Sequence, residues 1–441
     1  MAQNHSPLSY KKVMFFWMPL AATWIMMAVE GPFIAAVVAR LPSPTHNLAA
    51  FGVALSFAFI AEAPIIMLMS ASTALATHRE SFYKLRRFTH FLNALITIVM
   101  FVGLLPPVFG FIANDLIGLP KPVADLTYSA SWLFLPWPAA IGYRRFYQGI
   151  LIRYHLTRRV AYGTLVRLTT MAGTAIFLFM FGIEGARTGA AALSIGVFCE
   201  AVATRIMAGP VINKLIETRR GDECTGATPS YPFILKFYMP LALTSVLALG
   251  IHPMVTFFLG KSRMSLESLA VLPVVNSLAF VFRSIGLSFQ EVGIALMGKV
   301  KKNYVILRNF AAMLALTVAI GYALIAFSPL AELWFISVSG LSVQLASVAF
   351  LPAKLMALLP GLTVMISFQR AMLVNAKKTG PIIQATALEV LVILICLFFF
   401  VYRVDFVGVV AAALAYSVGR LASVSYLIPF QNRSLGRYFE T

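Results

Sequence analysis

The chain contains two copies of one sequence repeat. When its 441 residues are shifted by 221 positions, the sequence aligns with itself without a gap. Residues 16–23 (FWMPLAAT) then meet residues 237–244 (FYMPLALT). The register still holds near the end of the first half, where residues 190–193 (AAAL) meet residues 411–414 (AAAL). A register that persists over this length predicts two halves with one common fold.

Both halves are dominated by apolar residues. Hydrophobic residues make up 60% of the chain and charged residues only 12%, whereas a soluble domain has about 25% charged residues. A membrane-spanning helix needs about 20 apolar residues, and each half supplies six such segments. The twelve predicted spans are 12–39, 47–76, 88–112, 126–152, 160–183, 188–213, 233–260, 268–298, 309–328, 341–374, 381–402 and 406–430.

These spans define the predicted architecture. Six spans per half make the repeats parallel, related by a pseudo-two-fold axis along the membrane normal. The predicted fold class is therefore all-α, a polytopic membrane protein of 12 transmembrane helices in two six-helix bundles. The bundles are predicted at residues 1–213 and 231–441, with a polar cytoplasmic linker at 214–230. The short loops leave no room for a soluble catalytic domain, so we expect no enzyme activity and no cofactor.

The basic loops predict the orientation. The net charge is +19, and 20 basic residues fall in the loops of one side against six on the other. Cytoplasmic loops of membrane proteins collect Lys and Arg. Both termini are therefore predicted in the cytoplasm, in a plasma (inner) membrane, and the charge no longer argues for a nucleic-acid partner. The three cysteines lack the spacing of a metal site, so no metal is expected.

Charges inside the predicted spans are the candidate functional residues, because an ionisable group costs about 2.5–3.5 kcal/mol at a helix centre on translocon scales. Glu62 and Arg283 occupy the same position under the shift of 221. Two-fold related positions on helices that line a central cleft face each other, so this pair is predicted to be a gate or two walls of a binding site. The alternative is that each residue pairs within its own half.

A basic group is predicted in the first half. Arg144 and Arg145 precede Gln148 on the fourth span, and Arg167 lies in the fifth. Arginine offers paired donors that suit oxyanions. These residues, with Gln369 as the repeat of Gln148, are predicted to line the central cleft and bind substrate. Contact with lipid phosphates is the alternative.

Three carboxylates and one histidine are the candidates for ion coupling. Glu30 and Glu200 lie in the first half, and Glu291 and His252 lie in the second. A carboxylate can hold a proton or a sodium ion, and a histidine can titrate near neutral pH. The alternative is a structural role, for instance a salt bridge between Glu200 and Arg205.

The remaining intramembrane charges have simpler expectations. Arg370 is placed near the cytoplasmic end of its span, where its side chain can extend to the headgroups. Glu291 and Glu389 are further candidates to balance it. The spans hold nine basic residues against five acidic ones, which favours an anionic small-molecule substrate.

Several segments resemble the superfamily of multidrug, oligosaccharidyl-lipid and polysaccharide exporters, and within it the progressive ankylosis protein branch. The segments are FFWMPLAATWI, NLAAFGVALSFAFIAEAP, GILIRYHL, FYMPLALTSV and LPAKLMALLPGLTVMISFQRAMLVNAKKT. The resemblance implies a V-shaped pair of bundles with a central cleft. It implies export of small anions such as pyrophosphate or carboxylates. It also makes Glu30 and Glu200 counterparts of the coupling carboxylates in the first bundle, although the usual aspartates are missing.

The sequence therefore predicts a secondary active exporter that works by alternating access, moves an anion, and is coupled to H+ or Na+. A multidrug efflux antiporter and a flippase for a lipid-linked saccharide are the alternatives. A single chain with two repeats needs no second copy, so a monomer in contact with membrane lipids is expected.

Overall fold

The fold is all helical through the residues described. A computed structural model describes residues 8–38, 40–117, 119–217, 229–298 and 301–440. In the first half, the helices are α1 (Tyr10–Val38), α2 (Pro44–Glu62), α3 (Leu68–Leu75), α4 (Arg79–Gly103), α5 (Pro106–Gly110), α6 (Lys121–Leu133), α7 (Trp137–Arg153), α8 (Thr157–Met180) and α9 (Gly185–Glu217). In the second half, they are α10 (Tyr231–Gly260), α11 (Ser265–Leu287), α12 (Phe289–Leu296), α13 (Lys301–Ala326), α14 (Leu330–Glu332), α15 (Val343–Leu355), α16 (Leu359–Asn375), α17 (Gly380–Tyr402) and α18 (Gly408–Glu440).

The helix bounds repeat with the sequence. The pair α2 and α3 runs over 44–75, and the pair α11 and α12 runs over 265–296, which is the same range after a shift of 221. Each pair follows a residue in the left-handed region, Ser43 with φ 52° and Met264 with φ 53°. Each half also has a π-helical turn, at Phe111–Leu116 and Leu333–Val338. Equivalent sequence thus forms equivalent turns and breaks.

Ten helices in the described residues are long and apolar enough to cross a membrane. Helices α15 and α16, which meet at a bend of 41°, reach the same length and hydropathy only together, as one bent pair. The predicted span 126–152 corresponds to α6 and α7, the repeat of that bent pair, and is likewise broken before Trp137. Its second part, α7, contains Arg144, Arg145 and Arg153, which lower its hydropathy. The chain is an integral multi-pass membrane protein.

Packing divides the chain into two compact units. The N-unit comprises residues 26–245, and the C-unit comprises residues 1–25 with 246–441. Within the N-unit, α9 packs against α7 and α8. Within the C-unit, α18 makes the equivalent contacts with α16 and α17. Most of the predicted linker, 218–228, lies outside the described residues, and the bundle bounds at 213 and 231 stay predictions.

The unit boundaries fall inside continuous helices, so the start of α1 belongs to the C-unit and the start of α10 belongs to the N-unit. Trp17 on α1 donates a hydrogen bond of 2.8 Å to Ser288, at the break between α11 and α12. Its repeat, Tyr238 on α10, donates a hydrogen bond of 2.6 Å to the carbonyl of Pro64, at the break between α2 and α3. Each aromatic donor therefore satisfies an acceptor at a helix break, and donor and acceptor belong to the same compact unit.

Close packing of α3 on α7 depends on Gly149. A Cβ at this position would stand 1.8 Å from the Ser72 Oγ and 2.4 Å from the Met69 carbonyl oxygen. We expect Gly149→Ala to destabilise the protein by about 1–3 kcal/mol, because the two helices must separate. Thermal unfolding in detergent measures the change. Gly173→Ala on α8, where a Cβ meets nothing within 4 Å, is the control. Equal melting temperatures for the two variants would contradict the close approach.

Candidate functional site

The first charged cluster lies between helices of the N-unit and is centred on Glu200 of α9. Glu200 is fully buried. It forms an ion pair with Arg144 of α7. Gln148, one turn further along α7, donates a hydrogen bond of 3.1 Å to the same carboxylate. Thr164 of α8 donates another of 3.1 Å. Three side chains from two neighbouring helices thus satisfy one carboxylate, as a buried charge requires.

Arg167 of α8 connects this carboxylate to Glu30 of α1. Its guanidinium forms an ion pair with Glu30, and the Nη1 atom lies 3.8 Å from the Glu200 Oε2. The guanidinium carbon also lies 5.5 Å from the ring centroid of Trp137, which is a cation–π distance. Arg167 is therefore shared between two acids, and the Oε1 atom of Glu30 has no hydrogen-bond partner among the described residues.

Glu62 and Arg145 complete the cluster. The indole of Trp137 donates a hydrogen bond of 3.2 Å to Glu62. Arg145 donates to the sulfur of Met69 at 3.7 Å and interacts electrostatically with Glu62 and Glu200. The N-unit cluster thus contains three arginines and three glutamates, all buried. Its formal charges cancel, so the arginines at 144, 145 and 167 are not a purely basic group.

The second charged cluster lies between helices of the C-unit. Arg420 of α18 forms an ion pair of 3.0 Å with Glu389 of α17. Arg370 of α16 donates a hydrogen bond of 2.9 Å to Thr386 of α17 and interacts electrostatically with Arg420 and Glu389. Arg283 of α11 interacts electrostatically with the same two residues. Three arginines thus interact electrostatically with one carboxylate, and Arg420 is in direct contact with it.

Acidic and basic residues are exchanged between comparable places of the two clusters. In the N-unit, Arg167 lies on α8 and Glu200 on α9. In the C-unit, the acid Glu389 lies on α17 and the base Arg420 on α18. Glu62 on α2 likewise corresponds to Arg283 on α11. The four charged side chains of the C-unit cluster leave a formal charge of +2, whereas the N-unit cluster is balanced. The repeated fold therefore carries different electrostatics in its two halves.

The other predicted residues have separate surroundings. Gln369 donates a hydrogen bond of 3.1 Å to the carbonyl of Val424, which joins α16 to α18. Glu291 is buried on α12 and is not among the charges that act on Arg370. His252 is exposed on α10 and interacts electrostatically with Arg283.

The partner of Glu200 differs from expectation. Glu200 pairs with Arg144 rather than with Arg205, whose guanidinium carbon lies 5.3 Å from the ring centroid of Tyr147. The reason is that side chains three or four residues apart are neighbours on a helix surface. Positions 200 and 205 are five residues apart and lie on different faces of α9.

The surroundings of Arg370 include α17. Arg370 donates a hydrogen bond to Thr386 of that helix, and its extension toward the headgroups stays a prediction. Of its two expected counter-charges, Glu389 acts on it and Glu291 is not among the charges that do. Because Glu62 and Arg283 belong to different units, their facing across a cleft stays a prediction.

Sequence reasoning missed part of the C-unit cluster. It gave Arg420 and Thr386 no role, and it considered Glu389 only as a balance for Arg370. A signal was present in the repeat: the pair at positions 167 and 200 recurs one residue out of register, and with inverted signs, at 389 and 420. A search for inverted charge near repeated positions would have found it.

The fold matches solved transporters of the MATE type. A mutant of the Vibrio cholerae MATE transporter VcmN superposes with a TM-score of 0.78 at 16% identity, with 98% of both chains covered. An outward-facing multidrug resistance MATE family transporter of the MOP superfamily gives a TM-score of 0.76 at 16% identity, with 98% of this chain and 97% of that one covered. At these identities the match shows the fold.

A third solved structure has the same fold. A MOP superfamily transporter from Pyrococcus furiosus, described as having a binding pocket of reversed polarity that suggests a different function, gives a TM-score of 0.75 at 15% identity. The match covers 98% of this chain and 97% of that one. No family model matches the sequence, and no curated protein matches it. The progressive ankylosis branch therefore stays a prediction.

Proposed function

We propose that the protein is a secondary active exporter that works by alternating access and moves a small organic or phosphate-bearing anion. The observation that carries the proposal is the excess of arginine over glutamate among the charges between helices of the C-unit. Charges are expensive between apolar helices and are kept where they bind a substrate or an ion. An uncompensated positive cluster supports a negatively charged cargo.

The N-unit cluster supports ion coupling. Arg167 is shared between Glu30 and Glu200, so a proton or a sodium ion that neutralises Glu30 removes one of its two partners. The guanidinium then has Glu200 alone, and the contact between α1 and α8 weakens. We assign the coupling of H+ or Na+ to this pair of acids. The exporter lies in the plasma (inner) membrane with both termini in the cytoplasm, where the basic loops favour them, and functions as a monomer.

The fold itself favours one alternative. Solved proteins with this fold include a multidrug resistance transporter, so drug efflux is a second candidate. Organic cations bind acidic or aromatic cavities, and a cluster with a charge of +2 would repel them. Anionic cargo therefore fits the described residues better. A flippase for a lipid-linked saccharide, the third candidate, would use the same arginines for its phosphate.

Reconstitution tests the proposal. Proteoliposomes are loaded with buffer and mixed with labelled citrate or pyrophosphate, with a proton gradient, a sodium gradient or neither. We expect anion flux that rises with one of the two gradients, because the N-unit acids couple that ion to the cargo. Liposomes without protein are the control. Absence of anion flux under every condition, together with flux of a labelled organic cation or lipid-linked saccharide, would overturn the proposal.

A further inference from the structure

The charge of the C-unit cluster is uncompensated within the described residues. Among those residues, Glu389 is the acid that acts on Arg283 and Arg370 and that pairs with Arg420. The remaining charge of +2 lies between helices where solvent screening is weak, so it is costly without a counter-charge. The Nε atoms of all three arginines are buried without a hydrogen-bond partner among the described residues. Positive charge and unused donors therefore coincide in one place.

We propose that Arg283, Arg370 and Arg420 form a binding site for a dianion with carboxylate or phosphate oxygens. This inference rests on the proposed function and locates its substrate site in the C-unit. A ligand with two negative charges would neutralise the cluster, whereas a monoanion would leave it positive. Arginine suits such ligands because its planar fork donates two parallel hydrogen bonds to one oxyanion group.

The positions of the arginines agree with this role. They come from three helices, α11, α16 and α18, so a ligand that bonds all three joins separate elements of the unit. Each arginine is mostly but not fully buried, and 13% of the Arg420 side chain remains exposed to a solute. Thr386 already holds the Nη2 atom of Arg370 at 2.9 Å. That hydrogen bond restricts the guanidinium before any ligand arrives, which lowers the entropy cost of binding.

Glu389 has a separate role in this site. Its carboxylate is 3.0 Å from Arg420 and occupies a place that a ligand carboxylate or phosphate oxygen would take. The buried glutamate is therefore an internal competitor of the ligand. It keeps the empty site less positive than three arginines alone would make it, and it weakens binding so that the ligand can leave. The effect of removing the Glu389 charge on ligand affinity therefore distinguishes a binding site from a structural ion pair.

Binding to the purified, full-length protein tests the site without any gradient. Isothermal titration is carried out with pyrophosphate, succinate and acetate in nanodiscs of phosphatidylcholine. We expect the two multivalent anions to bind and acetate to bind at least about tenfold more weakly, since it leaves positive charge unpaired. Arg420→Gln and Arg283→Gln should each weaken binding by about tenfold or more, because a charge-assisted hydrogen bond is lost. Arg403→Gln, an exposed arginine at the end of α17, is the control.

Glu389→Gln gives the deciding result, because it should tighten binding several-fold while the arginine variants weaken it. A purely structural cluster would show no such opposite signs. Binding of acetate equal to that of succinate, parent-like binding by Arg420→Gln and Arg283→Gln, or weaker binding by Glu389→Gln would overturn the site. Folding of every variant is checked by size-exclusion chromatography before binding is measured. If a variant does not fold, Arg420→Lys is used in its place. Lysine keeps the positive charge but lacks the planar guanidinium, so this variant should bind with intermediate affinity.

Two further arms separate the possible explanations. Nanodiscs that contain phosphatidylglycerol identify the source of the ligand: loss of pyrophosphate binding there would assign the site to a lipid phosphate and overturn the soluble dianion. Binding without flux in proteoliposomes would leave the site standing and contradict the exporter. Flux that is unaffected by the arginine variants would contradict the site and leave the exporter standing.

Discussion

Replacing Glu200 with alanine is expected to destabilise the protein by about 3–5 kcal/mol, because removal of one partner leaves buried charge unpaired. Arg144 loses its ion pair, and Gln148 and Thr164 lose the acceptor of hydrogen bonds of 3.1 Å. All of these groups are buried in the parent protein. Chemical or thermal unfolding in a mild detergent measures the loss, with loss of helix signal as the readout.

Two matched variants show whether burial is the cause. Glu184→Ala breaks the ion pair of 3.1 Å with Arg187, in which both side chains are 51% exposed, and should cost about 1 kcal/mol or less. The double variant Arg144→Met with Glu200→Leu removes both charges, so it should recover much of the stability that Glu200→Ala loses. If Glu200→Ala and Glu184→Ala have the same melting temperature, the N-unit cluster does not hold α7, α8 and α9 together.

Glu30→Gln is expected to abolish the dependence of anion flux on the ion gradient while the protein stays folded. Glutamine keeps the shape and one acceptor for Arg167, but it cannot gain or lose a proton and is a weaker sodium ligand. The charge that a coupling ion would neutralise is then permanently absent. Anion flux in proteoliposomes should become equal with and without the ion gradient that stimulates the parent. Flux of the anion down its own concentration gradient should remain.

An exposed carboxylate provides the comparison for Glu30. Glu332 lies exposed in α14 of the C-unit, and Glu332→Gln should transport as the parent does in both conditions. Melting temperatures of both variants are measured first, so that a loss of folding is separated from a loss of coupling. Parent-like stimulation of Glu30→Gln by the gradient would remove Glu30 from the coupling step and shift that role to Glu200.

The repeated helical architecture could be predicted from the sequence, and the match to solved MATE transporters confirmed the fold. The shift of 221 residues reproduces the bounds of α2 with α3 in α11 with α12, because equal sequence places breaks and turns alike. Membrane insertion followed from composition, since few soluble folds tolerate 12% charged residues. The fourth span is broken between α6 and α7 where Pro136 lies, since proline lacks the N–H that would continue the helix.

Pairing of the buried charges could be predicted only in part. The free-energy cost of a charge inside the membrane identifies Glu30, Glu200 and Arg167 as residues that need partners. It does not indicate which residue the partner is. The choice depends on helix rotation and on packing, and apolar helices such as α2 and α9 have no clear amphipathic pattern from which rotation can be read. That is why Arg205 was considered for Glu200 although Arg144, 56 positions away in sequence, is the partner.

The exchange of helix ends between the two units bears on how such a chain arose. In two separate copies of the repeat, the same arrangement would be a domain-swapped dimer, in which each copy lends the start of its first helix to its twin. The residue at the shared position, Trp17 in one repeat and Tyr238 in the other, would be the anchor of that swap. Fusing the two genes then requires only a connection between the end of one copy and the beginning of the next. Neither half of the present chain contains all the residues of one compact unit, so an ancestor of this kind would have completed each unit by pairing.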